Sequence, residues 1–145
     1  MKGLNKHYRK YEELGYMKTP KEICKDIYKF VCATEIKDAI TGKVSYTGRK
    51  TDKEDCCIEL QDNDCDQVQT AFVYVRIYVP NMTSGGKSVE NVPRTEPLEK
   101  LCATLLERGH GDTFRFELKQ QLTLPVQGKD EFVITNKIEY SQFNG

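Results

Sequence analysis

The chain has 145 residues, the length of one domain, and its 22 Lys and Arg are matched by 22 Asp and Glu, so the formal net charge is zero. That balance argues against a broad phosphate-tracking surface and against a polybasic membrane anchor, both of which need a basic excess. No apolar run is long enough for a membrane-crossing helix, and residues 1–16 lack the apolar centre of a secretory signal, so a reducing intracellular setting is expected.

Residues 1–18, rich in Lys, Tyr and Glu, read as an N-terminal arm ahead of a single domain spanning 19–145. The arm is either a loosely ordered tail or a strap that docks on a neighbouring subunit. Thr19-Pro20-Lys21-Glu22 is a capping box with proline in the first helical turn. Ile23, Ile27, Phe30 and Val31 follow at helical spacing, which predicts a helix over 20–32. Strands are expected at 43–47, between Gly42 and Gly48, and at 55–60. Asp62-Asn63-Asp64 reads as a turn before a long strand over 68–79.

That strand alternates strictly. Ala71, Val73, Val75, Ile77 and Val79 share one face, while Phe72, Tyr74, Arg76 and Tyr78 share the other. Residues 80–94, with two glycines and two prolines, read as a long flexible loop. A second helix is expected from about Thr95, with Leu98, Leu101, Cys102, Leu105 and Leu106 as its stripe and Gly109 just past its end. Two last strands, 113–124 and 131–141, turn around 127–130 as an antiparallel hairpin. The order is α-β-β-β-α-β-β. It implies an α+β fold, a mainly antiparallel sheet of about five strands with two helices on one face.

The chemical motifs are thin. Gly85-Gly86-Lys87-Ser88 imitates a phosphate-binding loop, but the glycine that opens that pattern falls at Asn81, and no helix follows directly. Asp62, Asp64 and Asp66 imitate a calcium loop, but its later glycine and glutamate fall at Gln67 and Val73. The two histidines, His7 and His110, have no nucleophile motif beside them. Glu12 with Glu13, and Asp52 with Glu54 and Asp55, read as solvated surface clusters. Cys24, Cys32 and Cys102 read as small core residues, and Cys56, Cys57 and Cys65 as free thiols. No enzymatic activity, cofactor or metal is expected. The aromatic row is the unusual feature: either the sheet bends over it, or it faces another chain, where Tyr, Phe and Arg are enriched.

The layout resembles the tail terminator and tail-completion proteins of long-tailed bacteriophages. The likeness rests on the first helix, the strand near 43–47 followed by Gly48-Arg49, and the long strand over 71–79. It extends through the variable loop, the Leu-rich helix and the closing strand around Lys137-Ile138-Glu139-Tyr140. The resemblance implies a ring, often of six copies, at the head-proximal end of the tail tube. Such a ring ends tube growth and joins the tail to the head connector. It implies partners among tail tube and connector proteins, and a place in the virion after assembly in the host cytoplasm. In such an assembly Phe72, Tyr74, Arg76 and Tyr78 are the expected subunit interface, with Met82, Lys87 and Arg94 of the loop as assembly contacts. Two rival readings remain. One is a cellular module that binds a small molecule or peptide on the aromatic face, and the other an enzyme that uses 80–94 as a phosphate clamp.

Overall fold

The computed structural model describes residues 17–65 and 69–142. Most of the expected arm, residues 1–16, lies outside the described residues, as do Asp66 and Val68. Lys18 belongs to the body of the domain. Its backbone exchanges hydrogen bonds with the Gln69 amide at 2.9 and 2.7 Å, and its ammonium pairs with Asp26 at 2.5 Å.

Helix α1 (Pro20–Cys32) starts where the capping box sets it. Glu22 N–H donates to Thr19 Oγ1 at 3.2 Å, and Thr19 N–H donates to the Glu22 carboxylate at 2.9 Å. Two otherwise orphaned donors are satisfied at once, a local effect worth about 1 kcal/mol. A single turn, α2 (Ile36–Ala39), follows and buries Ile36. Then come β1 (Val44–Ser45), β2 (Cys56–Asp64), β3 (Thr70–Pro80), β4 (Met82–Ser84) and β5 (Lys87–Val89). Helix α3 (Val92–Leu105) precedes β6 (Arg108–His110), β7 (Phe114–Pro125) and β8 (Glu131–Gln142).

Six strands form one sheet in the order β1-β2-β3-β8-β7-β6, while β4 and β5 pair only with each other. Within the large sheet β1 and β2 run parallel and every other pair is antiparallel. The fold is therefore α+β with an antiparallel-dominated sheet, with one more strand in that sheet and one more short helix than the sequence suggested. Ala71, Val73, Val75, Ile77 and Val79 are at most 2% exposed, and they join Ile23, Ile27 and Val31 of α1 and Leu98 and Cys102 of α3 in a single core. Each such aliphatic side chain contributes roughly 1.5–3 kcal/mol by leaving water. Asn136 is wholly buried among them and satisfied: its amide donates to Val75 O at 3.0 Å and accepts from Gln121 at 2.8 Å.

Several sequence expectations are corrected. Asp62-Asn63-Asp64 is strand, not turn; β2 runs through it with an irregularity between Leu60 and Asp62 that shifts the register by one. Residues 80–94 are not an irregular loop. They hold the β4–β5 hairpin, whose Gly85 and Gly86 adopt φ of 59° and 77°, and the first turn of α3, which begins at Val92 rather than Thr95. Both positive angles are the ones a two-residue hairpin turn needs, so the glycines specify structure instead of loosening it. Gly109 does not end a helix. It lies in β6, where a Cβ would come within 2.6 Å of the Phe116 ring and 2.7 Å of Phe30. His110 is thereby a strand residue. Glu54 and Asp55 are not solvated: they are 5% and 0% exposed.

Candidate interaction surface

Helices α1 and α3 pack on the same face of the sheet, through one continuous core. The opposite face carries the even-numbered side chains of β3. Phe72, Tyr74, Arg76 and Tyr78 are each half-buried there, in the one row that sequence alternation assigns them. In register across β3 and β8, Tyr78 lies opposite Val133, Arg76 opposite Thr135, Tyr74 opposite Lys137 and Phe72 opposite Glu139.

Each ring of the row has a cation over it. The Arg49 guanidinium lies 4.4 Å from the Tyr78 centroid, Arg76 lies 4.4 Å from Tyr74, and the Lys137 ammonium lies 4.4 Å from Phe72. Such contacts are worth about 0.5–1 kcal/mol at exposed sites and more when dry. Arg76 is also ion-paired with Glu59 of β2. Side chains of the face itself therefore lie over the rings, while both long helices pack on the other face.

Arg49 reaches Tyr78 because the segment between β1 and β2 is built around Asp55. That carboxylate accepts from Lys43 N–H at 2.9 Å, Lys50 N–H at 2.8 Å, Thr51 N–H at 2.7 Å and Thr51 Oγ1 at 2.6 Å. Arg49 Nε sits 3.3 Å from it, and Arg49 Nη1 holds both oxygens of Glu131 at 2.9 and 3.1 Å. Burial alone would raise the Asp55 carboxyl, but the hydrogen bonds from Thr51, Lys43 and Lys50 outweigh it and hold the group well below the usual carboxylate range. Beneath this segment the Cys57 thiol is pushed up to about 11 by burial. Cys102, in the core, is pushed up to about 12 for the same reason. All six cysteines are free, and Cys65 is the exposed one.

The open face changes character along its strands. On β8 and β7 beside Tyr78 it is apolar: Val133 is half-buried, and Leu122 and Leu124 of β7 are 46% and 51% exposed, while Arg49, paired with Glu131, lies over the same ring. At the Phe72 end it is charged. There β6, β7 and β8 form a groove of about 690 Å³ lined by Arg108, His110, Arg115, Glu117, Glu139 and Ser141.

The structure treats the remaining sequence candidates unequally. Met82 and Lys87 are exposed on the β4–β5 hairpin. Arg94 is instead fixed within the domain, donating to Glu54 at 2.8 and 2.6 Å and to Ala39 O at 2.8 Å. Gly85-Gly86-Lys87-Ser88 makes the hairpin turn and enters β5, so it does not lead into a helix. Among the described residues no group of three His, Cys, Asp or Glu is placed to hold a metal ion. The residues that sequence reasoning missed are Arg49, Lys137, Leu122 and Leu124. Period-two alternation in 131–142 marks the face of Lys137, but in β7 the register shift between Leu118 and Gln120 moves Leu122 and Leu124 to the face opposite Phe114, Phe116 and Leu118, so only the strand register shows that they join the aromatic row. No protein-family model matches the chain, and no curated protein is similar to it in sequence.

Proposed function

We propose that this chain is a non-catalytic structural protein that acts by associating with copies of itself and with other protein chains through the open face of its sheet. The specific form of that reading is the tail terminator: a closed ring, of six copies as the resemblance implies, seated in the virion at the head-proximal end of a tail tube. It would stop tube growth there and offer the head connector a surface, assembly taking place in the host cytoplasm. The observation that carries the reading is the face itself. Three aromatic rings and two leucines lie on it, no helix covers them, and their cationic neighbours suit a contact with another chain. Tyr78, Val133 and Leu124 are neighbours in register, so these side chains adjoin one another instead of lying singly on the surface.

The rival module, with a small molecule or peptide held on the aromatics, has less to rest on. Every ring already has a guanidinium or ammonium over it, which a flat ligand stacking there would have to displace. The deciding experiment is the mass of the purified protein in solution, by sedimentation and light scattering, followed by negative-stain imaging. Annular particles with a mass of more than two copies are expected. A monomer at every concentration, whose melting temperature rises with a small ligand, would replace this reading with the module.

A further inference from the structure

The charged end of the open face has two margins of opposite sign. On β2 the residues on this face are Cys57, Glu59, Asp62 and Asp64, which lie opposite Arg76, Tyr74, Phe72 and Thr70. The register shift after Leu60 is what puts the acids together. Uninterrupted alternation would send Gln61 and Asn63 to this face in their place. At the far side of the sheet β6 contributes Arg108 and His110, opposite Glu117 and Arg115 of β7. Those two in turn lie opposite Glu139 and Ser141 of β8.

Two adjacent rows therefore cross the whole sheet, from Asp62 through Phe72, Glu139 and Glu117 to Arg108, and from Asp64 through Thr70, Ser141 and Arg115 to His110. Each begins acidic on β2 and ends basic on β6 or β7. Asp62, Asp64, Arg108 and Arg115 are all exposed, and none has an ion-pair partner among the described residues. Two carboxylates lie within the basic margin: Lys119 reaches Glu117 at 2.7 Å and Glu139 at 3.7 Å, and Arg108 and Arg115 also act on Glu117 without an ion pair, so the margin holds three cations against two acids. On β2, Glu59 is engaged by Arg76. From β2, Arg115 on β7 lies three strand spacings away and Arg108 on β6 four. That is roughly 14 to 19 Å, beyond the screening length of about 8 Å at physiological salt, so the margins do not neutralise each other within one chain.

We propose that the occupant of this face is a second copy of the chain, laid so that the acidic margin of one copy, Asp62 and Asp64, meets the basic margin of another, Arg108 and Arg115. The inference rests on the reading of the open face as a contact between chains and adds which parts of two copies meet. Charge complementarity sets orientation and register, while the apolar part of the face supplies burial. Like margins brought together would repel, which excludes the other registers.

The test is a charge swap read by sedimentation. Arg108→Glu with Arg115→Glu makes both margins acidic, and Asp62→Lys with Asp64→Lys makes both basic. Either double variant alone should associate at least roughly tenfold more weakly than the parent chain at low salt. An equimolar mixture should recover parental association, because each altered margin then finds its complement on the other variant. Recovery also shows that both variants are folded. High salt should weaken the parent chain and the mixture alike. If the parent chain associates but either double variant associates as well as it does, or the mixture does no better than its components, the margin pairing is wrong while the contact reading stands. If the parent chain never associates, both fall.

Discussion

Asp55 draws hydrogen bonds from three backbone N–H groups and the Thr51 hydroxyl, so the whole segment between β1 and β2 hangs on one side chain. Replacing it with alanine strands those donors in a wholly buried place and releases Arg49 from one of its two carboxylates. Breaking a buried charged contact of this type costs about 3–5 kcal/mol. Urea unfolding of Asp55→Ala at neutral pH should show that loss. The pH dependence has a definite sign. The folded carboxyl lies below its unfolded value, so its stabilisation is complete above an unfolded pKa of about 3.9 and disappears as pH falls toward the folded one. The stability gap between parent and variant should therefore be constant near neutrality and narrow below about pH 4. A gap that widens in acid would mean that Asp55 is not the ionised hub. Nothing local in the sequence marks this residue. Asp52, Glu54 and Asp55 look alike as a charged run, and only the fold of the chain around Asp55 separates the buried acids from the exposed one.

At the scale of elements, the most legible were those whose cause is local. The capping box fixed both ends of the argument for α1, and strict alternation exposed the two faces of β3, because each depends on neighbours in sequence. The one-turn helix α2 and the three-residue strand β6 have no such signal. They exist because Ile36 joins the core and because β7 offers β6 an edge. The β4–β5 hairpin was hidden by its glycines, which read as looseness but supply the positive φ of its turn. Every residue of its two strands is exposed, and they pair with each other alone. A two-stranded hairpin is at best marginally stable on its own. In amide hydrogen exchange the protein should thus show its least protected strand amides at 82–84 and 87–89 and its most protected ones in β3 and β8. Equal protection of the hairpin in a dilute, unassociated sample would mean that a contact absent from the fold described here holds it.

For the whole molecule the question is which side of the sheet holds it together and which side meets other chains. The helix-facing side has the complete aliphatic series of β3, wholly buried, and the opposite side has rings capped by cations. Alternation alone made that division legible. The caps were not legible, because Arg49 arrives from the β1–β2 segment and Lys137 lies 65 positions after Phe72, the ring it covers, as only the β3–β8 register shows. The division makes the double substitution Tyr74→Ala with Tyr78→Ala informative. In the single chain it removes two half-buried rings and two cation contacts, each worth about 0.5–1 kcal/mol, and leaves the core on the other face untouched. The isolated chain should stay folded, with a modestly lower melting temperature. In an assembly the same rings would be anchors, and truncating an interface anchor costs about 1–4 kcal/mol each. Association measured by sedimentation should then weaken by far more than the melting temperature suggests. A variant that unfolds would make the rings part of the core of one chain, and a folded variant that associates as the parent does would move the contact to another surface.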